Sequence, residues 1–218
     1  LPTPTIDELT LADDPAGWSA LGFSLSDGCC LLRDVRVRFA GKEQGKGLVG
    51  WSLRDIASTE LDGLTTRLSD RPAWAQAPTH PNGVVGIDHV VAVSPALDRT
   101  VSALQAAGLD LRRVREEPTP AGAPRQAFFR LGQEILELVQ EPAEVLERSG
   151  GAERPAIFWG LALLVDDLDR TVAAFGPHVG TVRPAVQAGR RIATVKRSAG
   201  LAVPVALISA ERRDGSQP

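Results

Sequence analysis

One histidine and one glutamate occupy the positions where chemistry is expected. His89 stands inside the apolar run GIDHVVAV (86–93) and Glu137 inside EILELVQ (134–140). Both runs are short and rich in Val, Ile and Leu, the composition of β-strands. Side chains alternate along a strand, so Ile87, His89, Val91 and Val93 are expected on one face of the first, and Ile135, Glu137 and Val139 on one face of the second. If those faces line one surface, an imidazole and a carboxylate converge between apolar walls. That donor pair suits Zn, Fe, Mn, Co or Ni, with open positions for water or substrate. Without a metal the same pair is a base and its orienting partner. A third reading makes both residues structural parts of their strands.

The elements that would position the pair repeat along the chain. Residues 87–101 read IDHVVAVSPALDRTV and residues 158–172 read FWGLALLVDDLDRTV, with Asp98 matching Asp169 at an offset of 71. Each copy is an apolar strand, a polar break and an amphipathic helix. Ser94-Pro95 and Asp166-Asp167 have the chemistry of helix starts. Leu97, Val101, Leu104 and Ala107 recur at the three-and-four spacing of one buried helix face. Beyond the helices, AFFRLG (127–132) and EILELVQ form a hairpin about Gly132-Gln133, and RRIATVKR (190–197) and LAVPVALIS (201–209) follow in the later copy. LDLRRVR (109–115) supplies the weak second strand, so each unit reads β-α-β-β-β.

A fainter copy opens the chain. TIDELTLADDPAGWSALGF aligns with the strand and helix of the middle copy and places Glu8 where His89 stands. CCLLRDVRVRFAG and GLVGWSLRDI follow, with a hairpin at Asp27-Gly28, and GKEQGKGLVG (41–50) reads as a hairpin loop. The expected organisation is a degenerate module over 1–56, a connector over 57–83, a module over 84–147 and a second module over 155–210 paired with it. A polar, frayed tail is expected from Glu211.

Repeated βαβββ units, IDHVVAVS on the first strand and LGQEILELV on the last resemble the vicinal oxygen chelate superfamily, the glyoxalase, bleomycin-resistance and extradiol-dioxygenase group. The resemblance implies an α+β fold, with repeated βαβββ modules forming curved, mostly antiparallel mixed sheets around a cavity. It places His89 and Glu137 at the family's metal positions. In the later copy the matching positions are Gly160 and Ala206, which carry no ligand. Glu8 is the candidate third ligand. Candidate substrate-binding residues are Trp51, Gln126, Phe128, Trp159 and Arg191; core packing and solvated strand starts are the plainer roles for them. A divalent metal is one expectation and none is the other.

Two functions follow from the resemblance. One is a protein acting on a small molecule by metal-assisted lyase, isomerase or dioxygenase chemistry. The other is a metal-free protein that binds or sequesters a small molecule, as drug-resistance members do. The substrate and the catalytic residues are not specified by sequence.

Composition bounds the remaining classes. The 218 residues carry a net charge of −3 and 43% hydrophobic residues, which gives no electrostatic reason to expect nucleic acid or an anionic membrane as partner. No apolar run approaches the roughly 20 residues of a membrane span. The first residues lack a basic start followed by an apolar core, so no secretory leader is expected. Cys29 and Cys30 are adjacent, a pairing that strains a disulfide, and reduced thiols in a cytoplasmic protein are expected. Abundant Ala, Arg, Gly and Pro suggest a GC-rich bacterial genome. Three units leave one unmatched, and an unpaired sheet edge implies a homodimer.

Overall fold

The computed structural model describes residues 3–73, 78–119 and 122–210. The tail from Glu211 and residues 74–77 of the connector lie outside the described residues. In chain order the elements are β1 (Thr5–Ala12), α1 (Pro15–Ala20), β2 (Leu25–Ser26), β3 (Cys29–Leu32), β4 (Val35–Phe39), β5 (Gly47–Arg54) and β6 (Thr66–Leu68). They continue with β7 (Val84–Ser94), α2 (Leu97–Ala106), β8 (Asp110–Arg115), β9 (Gln126–Leu131), β10 (Glu134–Gln140) and α3 (Ala143–Arg148). The last are β11 (Ile157–Val165), α4 (Leu168–Phe175), β12 (Arg183–Pro184), β13 (Arg191–Thr194) and β14 (Val205–Ser209).

Local chemistry explains the boundaries. Asp14 caps α1 by accepting from the Ala16 N–H at 2.8 Å, and Pro15 sits at its first turn, where its missing N–H costs nothing. Asp167 caps α4 through the Arg170 N–H at 3.0 Å. Ser94 serves α2 from outside the cap position, accepting from the Ala96 N–H at 3.0 Å. Asp27 and Gly28 both adopt positive φ, the type I′ geometry that joins β2 to β3.

The strands form two mixed, curved sheets. In the eight-stranded sheet the order is β12-β13-β14-β11-β7-β10-β9-β8. Its centre is the antiparallel pair β7–β11, and each of these pairs in parallel with the last strand of its own copy, β10 or β14. In the six-stranded sheet the order is β2-β3-β4-β1-β5-β6. Here β1 pairs in parallel with β4 and antiparallel with β5. The loop at 41–50 therefore does not close a hairpin: β4 and β5 lie on opposite sides of β1. The connector contains β6, which pairs in parallel with β5. The strand β1 pairs with β5 of the same N-terminal stretch, and the edge strands of this sheet are β2 and β6.

One apolar core runs through both sheets. Trp51 of β5 meets Phe158 of β11 edge-on with ring centroids 5.1 Å apart, and Phe23 meets Phe175 of α4 at 6.2 Å. Buried His80 fastens the connector to the N-terminal unit: its Nδ1 accepts from the Ser24 N–H at 3.0 Å, and its Nε2 lies 3.0 Å from the Leu31 carbonyl. Cys29 and Cys30 are free thiols. Burial pushes the Cys30 thiol up to about 12. No helix among the described residues is long and apolar enough to cross a membrane.

Candidate functional site

The site on the eight-stranded sheet is built by a β-bulge. Along β7 and β11, His89 pairs with Ala162 but Ile87 pairs with Leu163, so Asp88 is an extra residue in β7. The bulge brings neighbouring side chains together: Asp88 Oδ2 lies 2.8 Å from His89 Nδ1. It also breaks the simple alternation expected from sequence. Ile87 is opposite Leu163 and is fully buried, while His89, Val91 and Val93 remain half-buried on the other face.

β10 supplies the second half of the pair. Ile135 stands beside His89 in the parallel ladder and Glu137 stands beside Val91. Glu137 Oε2 lies 3.2 Å from His89 Nε2. The antiparallel β9 then brings Phe128 beside Glu137, and the Gln126 amide donates to Glu137 Oε1. The polar chain thus runs Arg190–Asp88–His89–Glu137–Gln126. His89 and Glu137 side chains are 13% and 17% exposed, so both are reachable but largely dry.

The electrostatics follow the geometry. Burial works against ionisation of Asp88, but the hydrogen bonds from His89 and Arg190 outweigh it and hold its carboxyl below the usual range. Burial pushes Glu137 the other way, up, against the opposing charge of His89 and the Gln126 hydrogen bond. Two carboxyls on either side of one imidazole are therefore driven apart, one toward the ionised form and one toward the protonated form.

The remaining sequence candidates are distributed unevenly. Gln126 and Phe128 stand with Glu137. Trp51 belongs to the six-stranded sheet, buried against Phe158, with its Nε1 donating to Thr66 Oγ1 at 2.8 Å. Trp159 is 56% exposed, and its side chain makes no hydrogen bond or ring contact among the described residues. Arg191 forms a surface pair with Asp169 at 3.0 and 2.9 Å; its neighbour Arg190 is the one that reaches the site. Glu8 lies in the other sheet, held by Arg38 at 2.8 Å, Arg36 at 3.3 Å and Arg71 at 3.4 Å. It is not a third ligand beside His89, because three guanidiniums already claim its carboxylate.

The donors present do not make up a metal site of the kind the resemblance implies. Gly160 and Ala206 hold the twin positions, as β11 and β14 repeat the register of β7 and β10. Gly160 also has no room for a side chain, since a Cβ there would lie 2.8 Å from the Pro204 carbonyl oxygen. Among the described residues no group of three or more His, Cys, Asp or Glu side chains is placed to hold a metal ion. Restoring the twin histidine with Gly160→His is expected to lower stability by roughly 1–3 kcal/mol through overpacking. Thermal unfolding of that variant against Ala206→Glu, whose neighbours β11 and β13 leave it half-buried, is the check.

One functional residue had no role in the sequence reading, and a second was offered only as one of a pair. Asp88 escapes pattern analysis because an ordinary strand would turn it away from His89. Arg190 and Arg191 are adjacent at the start of the third strand, where an inward arginine could clamp a carboxylate, and only the tertiary structure chooses Arg190, which pairs with Asp88.

No family model matches the chain, and no curated protein matches it. Solved structures do. A fusion of a xylose isomerase-like TIM barrel with 4-hydroxyphenylpyruvate dioxygenase superposes on 98% of this chain with a TM-score of 0.60 at 13% identity, and the chain spans 50% of that protein's length. Methylmalonyl-CoA epimerase from Mycobacterium tuberculosis matches 61% of this chain and 92% of its own at 21% identity, with a TM-score of 0.48. The Streptomyces coelicolor epimerase in complex with 2-nitronate-propionyl-CoA matches 62% of this chain and 99% of its own at 20% identity, with a TM-score of 0.46. With its repeated strand order and the superposition that covers nearly its whole length, the chain has the fold of the vicinal oxygen chelate superfamily.

Proposed function

We propose that this chain is a metal-independent protein that binds a small molecule on the eight-stranded sheet and moves a proton there through His89 and Glu137. The observation that carries the reading is the 3.2 Å approach of His89 Nε2 to Glu137 Oε2, opposite twin positions that hold only Gly160 and Ala206. Asp88 holds Nδ1 as the donor, so Nε2 is the nitrogen turned to Glu137 and to any ligand above it. A ligand with an acidic C–H or O–H beside a carbonyl gives up its proton to this pair. Gln126 fixes the Glu137 carboxyl, and Phe128 offers an apolar wall. The reaction classes that need such a step are isomerisation and elimination. A sequestering protein of the same fold uses the pair only to hold its ligand.

One observation favours a second reading. A spacing of 3.2 Å, with a carboxylate on the far ring nitrogen, also suits two ligands of one divalent ion, Zn, Fe, Mn, Co or Ni, whose other positions come from substrate or water. Elemental analysis of protein purified without chelator or nickel column separates the two. Well under one equivalent of metal, with thermal shifts from small aromatic compounds that His89→Ala and Glu137→Gln abolish, is expected. One equivalent of metal, lost in His89→Ala, transfers the site to the second reading. A folded, metal-free protein whose thermal shifts survive both substitutions overturns both.

A further inference from the structure

The six-stranded sheet carries the same site with its charge inverted. Ile6 pairs with Leu53 and Glu8 with Ser52, so Asp7 is the extra residue of a bulge in β1, as Asp88 is in β7. Glu8 then stands where His89 stands. Glu8 pairs with Arg36 as His89 pairs with Ile135, and two residues on, Arg38 stands where Glu137 stands. Strands β5 and β6 mirror β11 and β14. Ser52 faces Glu8 as Ala162 faces His89, and Arg67 pairs with Ser52 as Ala206 pairs with Ala162. Both last-strand positions of this sheet therefore present a guanidinium.

These arginines line a cavity of about 1420 Å³, together with Arg36 and Arg71. Leu31, beside Arg36 in the β3–β4 pair, and Val49 contribute apolar lining. The charges do not balance locally. Glu8 faces Arg36, Arg38 and Arg71, while Asp7 is taken by Arg54 and by Ser69 at 2.7 Å, with Arg71 also 3.8 Å away. The Arg67 side chain makes no hydrogen bond or ion pair among the described residues. The two other acids of the lining, Asp27 and Asp70, are exposed to water. Guanidinium forks are matched to carboxylate and phosphate oxygens, and several converging on one hollow raise the local positive potential.

We propose that this cavity is a second ligand site, which takes a small organic anion: a carboxylate or phosphate group against Arg38, Arg67 and Arg71, and an apolar body against Leu31 and Val49. It is independent of the proton-transfer reading of the other sheet. Calorimetric titration at low ionic strength with phenyl phosphate, phenylacetate and neutral benzyl alcohol tests it. At least one of the two anions is expected to bind at least tenfold more tightly than benzyl alcohol, and which anion binds identifies the headgroup. The double variant Arg67→Ala/Arg71→Ala, both exposed and outside the core, is expected to lose at least tenfold in affinity with an unchanged unfolding transition. His89→Ala is expected to bind the anion as the parent does. Failure of both anions to bind the parent protein overturns the proposal, as does undiminished affinity in the double variant. Loss of binding in His89→Ala also overturns it, because it puts the anion on the other sheet.

Discussion

Trp18→Ala is expected to lower stability by about 3–5 kcal/mol, the range for emptying a buried aromatic position. Against a total of roughly 5–15 kcal/mol for a folded protein, that brings the chain close to unfolding at 37 °C. Trp18 is 0% exposed and packs against Phe23 and Phe39 with ring centroids at 4.9 and 5.5 Å. Its Nε1 donates to Asp13 Oδ2 at 3.1 Å, and the same oxygen accepts from the Ala202 N–H at 2.9 Å. The tryptophan thus orients a buried carboxylate that ties the N-terminal unit to the segment before β14. Trp18→Phe keeps most of the buried area and loses only the Nε1 bond, so a cost of about 1–2 kcal/mol is expected. Urea unfolding followed by circular dichroism checks both values. Equal costs for the two variants would show that the Asp13 bond, and not the ring, carries the effect.

Glu134→Gln is expected to act in the opposite direction, and only above acid pH. Glu134 opens β10 at the junction of the sheets, 1% exposed, with Oε1 lacking a hydrogen-bond partner. Burial, and then the negative charge of Asp34, push its carboxyl up to about 7 from an ordinary 4.5. Between these two values the folded chain binds more protons than the unfolded chain, so stability falls as pH rises through the window and is level below it. The full cost of ionising Glu134 is on the order of 3 kcal/mol above pH 7. A neutral amide removes that cost. The variant should therefore match the parent near pH 4.5 and unfold roughly 5–10 °C higher at pH 8. A melting temperature gap that does not change with pH would sink this account.

Much of the architecture was legible because it rests on short-range patterns. The LDRTV repeat, the helix faces and the Gly132-Gln133 turn located the two later units, and EILELVQ coincides with β10. The first unit was legible as a strand and helix, but its partner was not. In β5–β6 the helix and two middle strands are missing, so no repeat of full length remains to be seen. The connector appeared structureless because β6 is three residues long and its pairing with β5 is set by contacts distant in sequence.

The sites divide along the same line. VRVRF, with Arg36 and Arg38 alternating against Val35 and Val37, contained the signal for the second cavity, since period two puts both arginines on one face. That signal was missed because Glu8 was read as a ligand and not as an arginine partner. The loss of the twin histidine at Gly160 was readable from the offset of 71, whereas Ala206 lies 69 residues after Glu137 and was matched only by aligning the last strands.

What the amino-acid order determined by itself was therefore the repeating unit, the identity of the His89–Glu137 pair and the absence of its twin, all of which depend on residue type and local period. Tertiary structure decided which groups meet. A bulge adds one residue to a strand and turns Asp88 toward His89; the register of β13 selects Arg190 over Arg191; and the choice of sheet sends Glu8 to three arginines instead of to the histidine. The first two are one-residue shifts along the backbone, and such a shift reverses the direction of a side chain without leaving any mark on composition or periodicity; the third is a matter of strand order, set by contacts distant in sequence.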